Sequence, residues 1–304
     1  MKQPLPTKSD IRALLDEAGL MPDKRLGQNF LIDGNLMRLL VSEADLGRSD
    51  VALEVGAAVG NLTQLLASQA GWVVAVELDA ALGQIGRMRL AKLKNVDYIV
   101  ADILAGKHQI SQEVLDRVSA RQLHTGGLVK LVANLPYGAA TPLLAELVMG
   151  DSPPERLVFT VQEEVALRLS AERGTRAYGP VGVVVQALAE VELLRPLPPT
   201  VFWPQPQVNS SMVRLRPRPA LRERIADLGV FRRTVEGLFA HRRKRAPRSL
   251  SLADPHSRPA DFWESRLRAA ALSPASRGEM YSVEEIIRLA NVIAAEEPTG
   301  RIMP

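Results

Sequence analysis

Short apolar runs punctuate the first two thirds of the chain, and each ends in a turn signal or a polar residue. Residues 51–55, 72–76, 96–101, 128–132, 156–161, 191–197 and 210–215 read as strands. Between them apolar residues recur at helical spacing. Ile11, Leu14, Leu15 and Ala18 form one such stripe, and Leu36, Leu39, Leu40 and Ala44 another. A helix runs on from Thr63 to about Gln69, residues 110–123, 141–149 and 163–172 read as further helices, and 181–189 is apolar without a decided period. Asp33 and Asp79 stand where helix caps belong. Strands alternating with helices predict an α/β domain with a mostly parallel sheet. After Arg216 the pattern changes. Pro217, Pro219 and an arginine cluster read as a linker, and then helical spacing returns at Phe231, Val235, Leu238 and Phe239. A helix over 282–296 opens with a capping box, Ser282 with Glu285. The expected division is therefore an α/β domain over 1–216 and a small helical domain over 217–304.

The predicted strands carry chemistry at their carboxyl ends, where open α/β sheets bind ligands. The first ends in Glu54-Val55-Gly56, followed by a turn of small residues to Gly60. Gly56 and Gly60 let the backbone approach a ligand closely. The turn lacks the G-x-G-x-x-G spacing of dinucleotide-binding folds. The second strand ends at Glu77, about 20 residues past the first glycine, placed to accept both hydroxyls of a ribose. With Asp79 free to cap the next helix, Glu77 is left for that role. The third ends before Asp102, which can accept from an adenine amine. The fourth ends in Asn134-Leu135-Pro136-Tyr137. Pro136 forces a turn and pushes Leu135 out of the helical region. An amide that accepts from an exocyclic amine and a ring that stacks on a base then stand side by side. That pair suits an enzyme acting on the amine of adenine; the bland reading is an Asx-type turn with a packed tyrosine. Further on, Pro204 and Pro206 keep residues 198–210 extended and outside a central sheet. Phe202 and Trp203 in that segment are either packed aromatics or a stacking platform. Residues 24–31, polar and broken by Gly27, read as a loop rather than a strand.

Composition narrows the class. The chain has 304 residues, no cysteine and four scattered histidines. Disulfides, thiolate metal sites and a cysteine nucleophile are excluded, and no metal is expected. The first residues lack the apolar core of a signal peptide, and no apolar run is long enough to span a bilayer, so the expected location is the cytoplasm. Net charge is only +4 with a pI near 9.5, but the positive charge is uneven. Arginines cluster at 214–224 and basic residues at 241–248, which raises the odds of a phosphate-backbone partner over a merely solvated face.

Taken together, these residues resemble the KsgA family of S-adenosylmethionine-dependent rRNA adenine N6-dimethyltransferases. The matching pieces are Leu26-Gly27-Gln28-Asn29-Phe30-Leu31, Glu54-Val55-Gly56 with Gly60-Asn61-Leu62-Thr63, Glu77-Leu78-Asp79, Asp102 and Asn134-Leu135-Pro136-Tyr137. Gly174-Thr175 with Tyr178-Gly179, the run from Phe202 through Pro204, Pro206 and Val208 to Ser210, and Phe239 with Arg242-Arg243-Lys244 complete the set. The resemblance implies a class I methyltransferase fold, a Rossmann-like seven-stranded sheet, with a helical C-terminal RNA-binding domain. It implies methyl transfer from S-adenosylmethionine to two adjacent adenosines near the 3′ end of small-subunit rRNA, in a pre-assembled 30S particle, by a monomer with no membrane partner. Asn134, Leu135, Pro136, Tyr137 and Phe202 would act on the base. Gln28, Asn29, Leu31, Gly56, Glu77, Leu78, Asp102, Ile103 and Asn134 would hold the cofactor. Lys24, Arg25, Arg242, Arg243, Lys244, Arg245 and Arg248 would meet RNA.

Three departures bear on activity. The family turn usually reads Gly-Pro-Gly-x-Gly, whereas here it is Gly56-Ala57-Ala58-Val59-Gly60; an alanine at 58 weakens cofactor binding if that site needs a positive φ. Gly138-Ala139-Ala140 replaces Asn-Ile-Ser after the tyrosine, and Ala246-Pro247-Arg248 replaces polar helix residues. Two further readings stay open: a large-subunit rRNA methylase of the macrolide-resistance type, and a catalytically weakened RNA-binding assembly factor.

Overall fold

The computed structural model describes residues 7–23, 27–106 and 109–296. In chain order it begins with α1 (Lys8–Glu17), β1 (Phe30–Leu31) and α2 (Gly34–Glu43). A run of strand and helix pairs follows: β2 (Val51–Val55), α3 (Asn61–Gln69), β3 (Trp72–Glu77), α4 (Ala80–Leu90) and β4 (Val96–Val100). After a small hairpin, β5 (Leu104–Gly106) and β6 (Gln109–Ile110), come α5 (Gln112–Thr125), β7 (Val129–Asn134), α6 (Ala140–Met149) and β8 (Arg156–Gln162). Next are α7 (Glu163–Leu169), α8 (Pro180–Leu188), β9 (Ala189–Leu197), β10 (Phe202–Trp203) and β11 (Ser210–Pro217). The chain closes with α9 (Pro219–Arg222), α10 (Leu228–Ala240), α11 (Ala246–Ala253), α12 (Ala260–Ala269) and α13 (Val283–Glu296).

Seven strands make one sheet in the order β4-β3-β2-β7-β8-β11-β9. Pairing is parallel from β4 to β8, and β11 runs antiparallel to β8. All seven runs read as strands from the sequence are in it. The reason is physical: β2, β3 and β8 are buried almost throughout, so they read as continuous apolar runs rather than alternating ones. The predicted caps also form. Asp33 accepts from the Asn35 and Leu36 amides, Asp79 from those of Ala81 and Leu82. Ser282 and Glu285 cap α13 reciprocally. Residues 24–31 are not all loop: Phe30 and Leu31 pair antiparallel with Trp203 and Phe202 in a separate two-stranded ribbon. Two residues are too few to show a period, so this pair carried no sequence signal.

The chain groups into two compact units, 1–166 with 192–216, and 167–191 with 217–304. Residues 167–191, expected with the α/β part, group instead with the C-terminal helices, for reasons visible in their contacts. The Gly174–Gly179 loop delivers Tyr178, 1% exposed, whose hydroxyl donates to the Tyr281 carbonyl and whose ring meets Phe239 edge-on. Arg242 donates to the carbonyls of Arg176 and Tyr178 and pairs with Glu279. In this second unit α10 packs against α8, α11 and α13, with α12 against α11 and α13.

Candidate active site

The ends of β2, β3, β4 and β7 surround a cavity, walled on a fifth side by residues 27–30. Gln28, Asn29, Gly56, Glu77, Leu78, Asp102, Ile103, Asn134, Leu135, Pro136 and Tyr137 all line it. A smaller cavity beneath the glycine turn is lined by Leu31 and Glu54, and shares Gly56, Ala58 and Asn134 with the first. The sequence thus brought together every expected cofactor residue, with Leu31 on the lower cavity.

The turn after β2 folds back on β3, because the Gly56 and Ala57 amides both donate to the Val76 carbonyl. Gly56 has φ +80, and a Cβ there would sit 3.0 Å from the Pro136 ring and 3.3 Å from the Asn134 carbonyl. Only glycine lets this turn and the Asn-Leu-Pro-Tyr turn approach this closely. Ala58 occupies the left-handed region as well, at φ +49. An L residue there costs about 1–2 kcal/mol, so the missing glycine at this position is a real strain. The conformation is clasped at both ends of the residue. Its amide donates to Glu77 Oε2 at 2.8 Å, and its carbonyl accepts from the Tyr98 hydroxyl.

Glu77 is 8% exposed, with Oε2 on the Ala58 amide and Oε1 on the Asp79 amide at 2.9 Å. Burial raises its carboxyl; those two amides pull the other way. Asp79 caps α4 and also accepts from Gln28 Nε2 at 2.9 Å, while Gln28 Oε1 accepts from the Asp23 amide at 2.7 Å. Gln28 is therefore a strut that pins the 27–31 segment to the start of α4. Glu54 is 2% exposed, and its Oε2 has no hydrogen-bond partner among the described residues. Burial pushes its carboxyl up to about 8; the Thr63 hydroxyl opposes this and the Glu77 charge adds to it.

At the end of β7 the Asn134 amide is held from both sides. Its Nδ2 donates to the Asn29 carbonyl at 2.8 Å, and its Oδ1 accepts from the Thr160 hydroxyl at 2.5 Å. The orientation is thereby fixed: a flipped amide would set Oδ1 against the Asn29 carbonyl. Tyr137 is half-buried, its hydroxyl 3.1 Å from Ser210 Oγ, and burial raises its phenol above the usual range. Phe202 does not join them. It is 3% exposed, in a core cluster with Leu31, Leu197 and Met212, and is not on the cavity wall. Its neighbour Trp203 stacks on Phe30 with ring centroids 6.1 Å apart. Thr160 and Ser210 were not singled out as site residues. Thr160 did leave a trace, a lone hydroxyl in the apolar run Leu157 to Val161; Ser210 closes the Phe202 motif.

The basic residues separate into two kinds. In the 214–224 cluster, Arg214 pairs with Glu43 and Glu192, Arg216 with Glu192, Arg218 with Glu190 and Arg224 with Glu284. That cluster is largely neutralised from within. Arg242 is likewise committed to its own unit. Arg243, Lys244, Arg245 and Arg248 are exposed and make no ion pair among the described residues. Lys24 and Arg25 lie outside the described residues.

Among the described residues, no group of three or more acidic or histidine side chains could hold a metal, and no helix is long and apolar enough to cross a membrane. The sequence model of the ribosomal RNA adenine dimethylase family matches residues 21–289. A Bacillus cytotoxicus protein named ribosomal RNA small subunit methyltransferase A is 37% identical over 94% of this chain and 96% of its own length. A protein of the same name from Bacillus mycoides is 36% identical over the same shares. Among solved structures, a dimethyladenosine transferase from Plasmodium falciparum superposes with a TM-score of 0.66 at 18% identity, covering 86% of this chain and 95% of that one. The 23S rRNA methyltransferase ErmE superposes with a TM-score of 0.57 at 23% identity, covering 87% and 99%. These two likenesses speak to the fold.

Proposed function

The chain belongs to the ribosomal RNA adenine dimethylase family, and on that premise we propose that it transfers methyl groups from S-adenosylmethionine to N6 of two adjacent adenosines near the 3′ end of small-subunit rRNA. The observation that carries the reading is the locked amide of Asn134, set beside Leu135 and Tyr137 in a cavity that also holds Glu77 and Asp102.

The residues fit the cofactor. Glu77 keeps lone pairs for ribose hydroxyls after taking its two amides. Asp102, exposed and with Oδ1 on the Leu104 amide, has a second oxygen for an adenine amine. Leu78, 52% exposed, and buried Ile103 give that ring apolar walls. The unpartnered Glu54 oxygen beneath the turn can accept a hydrogen bond from the ammonium of the amino-acid end. When bound, S-adenosylmethionine supplies an electrophilic methyl on a sulfonium.

The chain's own part is positioning. Adenine N6 is a weak nucleophile because its lone pair is delocalised into the ring. Asn134 Oδ1 and the Leu135 carbonyl accept its two N–H bonds and favour a tetrahedral nitrogen. Thr160 uses one lone pair of Oδ1 and leaves the other for the base. The base must leave its stack to arrive. Tyr137 holds it by π-contact, worth roughly 1–3 kcal/mol per stacked base. With Phe202 in the core, Tyr137 carries that role. A raised phenol stays neutral near pH 7, so Tyr137 does not take the proton that N6 releases; that proton passes to solvent. Arg243, Lys244, Arg245 and Arg248 would meet phosphates and set register without reading sequence. Lys24 and Arg25 are proposed to help them. The chain would act as a cytoplasmic monomer on a pre-assembled 30S particle.

The test is transfer of labelled methyl groups to small subunits that lack the dimethyl marks, beside naked large-subunit RNA. Label on the subunits supports the proposal. Label on the naked RNA alone assigns the chain to the resistance-type activity. Binding to subunits with no transfer to either substrate assigns it to assembly, with the strained Ala58 turn as the cause.

A further inference from the structure

The glycine turn of this chain has an alanine where the backbone is left-handed, yet the turn keeps the conformation that serves Glu77. Something must offset the strain, and one side chain is placed to do so. We propose that Tyr98 is a positioning residue for the cofactor pocket: its hydroxyl holds the Ala58 peptide in the left-handed conformation from which the Ala58 amide fixes the Glu77 carboxylate. The inference rests on the reading that this pocket holds S-adenosylmethionine.

Tyr98 lies on β4, opposite Ala75 of β3 in the parallel register. It is two strands away from the turn, so only a long side chain can reach. Its hydroxyl donates to the Ala58 carbonyl. The route is kept open by Gly86 on α4, where a Cβ would lie 2.7 Å from the ring and hydroxyl atoms of Tyr98. Arg87 Nε donates to the Tyr98 carbonyl at 3.2 Å and steadies the middle of β4. Burial, helped by the nearby Glu77 and Glu54 carboxylates, raises the phenol, so it remains a hydrogen-bond donor. The Ala58 peptide is then gripped on its carbonyl by Tyr98 and on its amide by Glu77.

The consequence is a coupling between two positions that do not both touch the ligand. Without the Tyr98 hydroxyl, residue 58 drifts to backbone regions that alanine prefers, the Ala58–Glu77 bond is lost, and the binding-competent fraction falls. Apparent affinity falls by the same fraction. The left-handed penalty of alanine corresponds to about tenfold. Glycine visits that region at no cost, so it needs no such clasp.

The experiment is calorimetric titration of S-adenosylmethionine into wild type, Tyr98→Phe, Ala58→Gly and the double variant, with thermal melts to confirm folding. Tyr98→Phe should weaken binding about tenfold alone and less than about twofold in the Ala58→Gly background. Gly86→Ala, which pushes the ring aside without removing the hydroxyl, should weaken binding similarly and add nothing to Tyr98→Phe. Equal losses in both backgrounds, or no loss from Tyr98→Phe alone, overturn the proposal while leaving the cofactor reading intact. Absence of binding by all four proteins overturns the cofactor reading and the proposal with it.

Discussion

Thr160→Val is the sharpest probe of the locked amide. Thr160 is 1% exposed on β8, opposite Asn134 in the parallel register, and its hydroxyl donates to Asn134 Oδ1. Valine keeps the branched shape and removes only that donor. Asn134 Nδ2 remains on the Asn29 carbonyl, and flipping the amide would bring two oxygens together, so the amide stays roughly in place but loses one of its two anchors. Losing one hydrogen bond of this kind is worth about 0.5–1.5 kcal/mol. If that bond acts only by aiming the acceptor, the methyl-transfer rate falls roughly 2–13-fold. Thr160 is not on the cavity wall, so cofactor affinity should hold. The assay is single-turnover transfer of labelled methyl to undermethylated 30S subunits at saturating cofactor, with calorimetry alongside. Thr160→Ser, which keeps the hydroxyl, should stay near the wild-type rate. An unchanged rate in Thr160→Val, or a loss that appears wholly as weaker cofactor binding, refutes the argument.

Removing the acceptor itself is harsher: Asn134→Ala should lower the rate about 100-fold or more in the same assay while the protein still melts cooperatively. Glu54 predicts a pH effect. Its carboxyl is raised from 4.5 to about 8, so across that window the folded state holds a proton the unfolded state has released, and stability falls as pH rises. Thermal melts from pH 5 to 9 should show that fall in wild type and a flatter profile in Glu54→Gln, which gains relative stability above pH 8. Arg242 and Arg243 are adjacent but should behave differently. Arg242→Ala should lower Tm, because its guanidinium, just past the end of α10, holds Glu279 and two carbonyls of the 174–179 loop. Arg243→Ala should leave Tm unchanged and weaken 30S binding with a shallower salt dependence, read by filter binding across a salt series.

Much of this was legible in the sequence. Buried parallel strands announce themselves as apolar runs, and Asp33, Asp79 and Ser282 announce helix starts through capping. The wall of the cavity could be read as well, because strand ends in an α/β sheet fall on one edge whatever the details of packing. What was hidden depended on partners distant in sequence. Nothing in Phe202 says whether an aromatic in a stiff segment faces a ligand or a core; the Leu31–Phe202 register decides it. The arginines at 214–218 look free until Glu43, Glu190 and Glu192 are brought beside them. The left-handed φ at position 58 could be anticipated from the usual glycine, but not its clasp by Tyr98 from the next strand but one. Residues 167–191 carry apolar runs that fit either unit, and it is the Tyr178 and Arg242 contacts and the packing of α8 on α10 that assign them to the second. Helices α11 and α12 were missed because few large apolar side chains mark their inner faces: Leu250 in the first, beside small or polar Ala246, Pro247 and Ser249, and Trp263 and Leu267 in the second.

The most direct measurement is nucleoside mass spectrometry of small-subunit rRNA after incubation of undermethylated particles with the protein and S-adenosylmethionine. The account predicts N6,N6-dimethyladenosine at two adjacent positions near the 3′ end, and its loss when Asn134→Ala replaces wild type. Methyl groups on another base or another ring atom, or dimethyladenosine that forms equally well with Asn134→Ala, would contradict it.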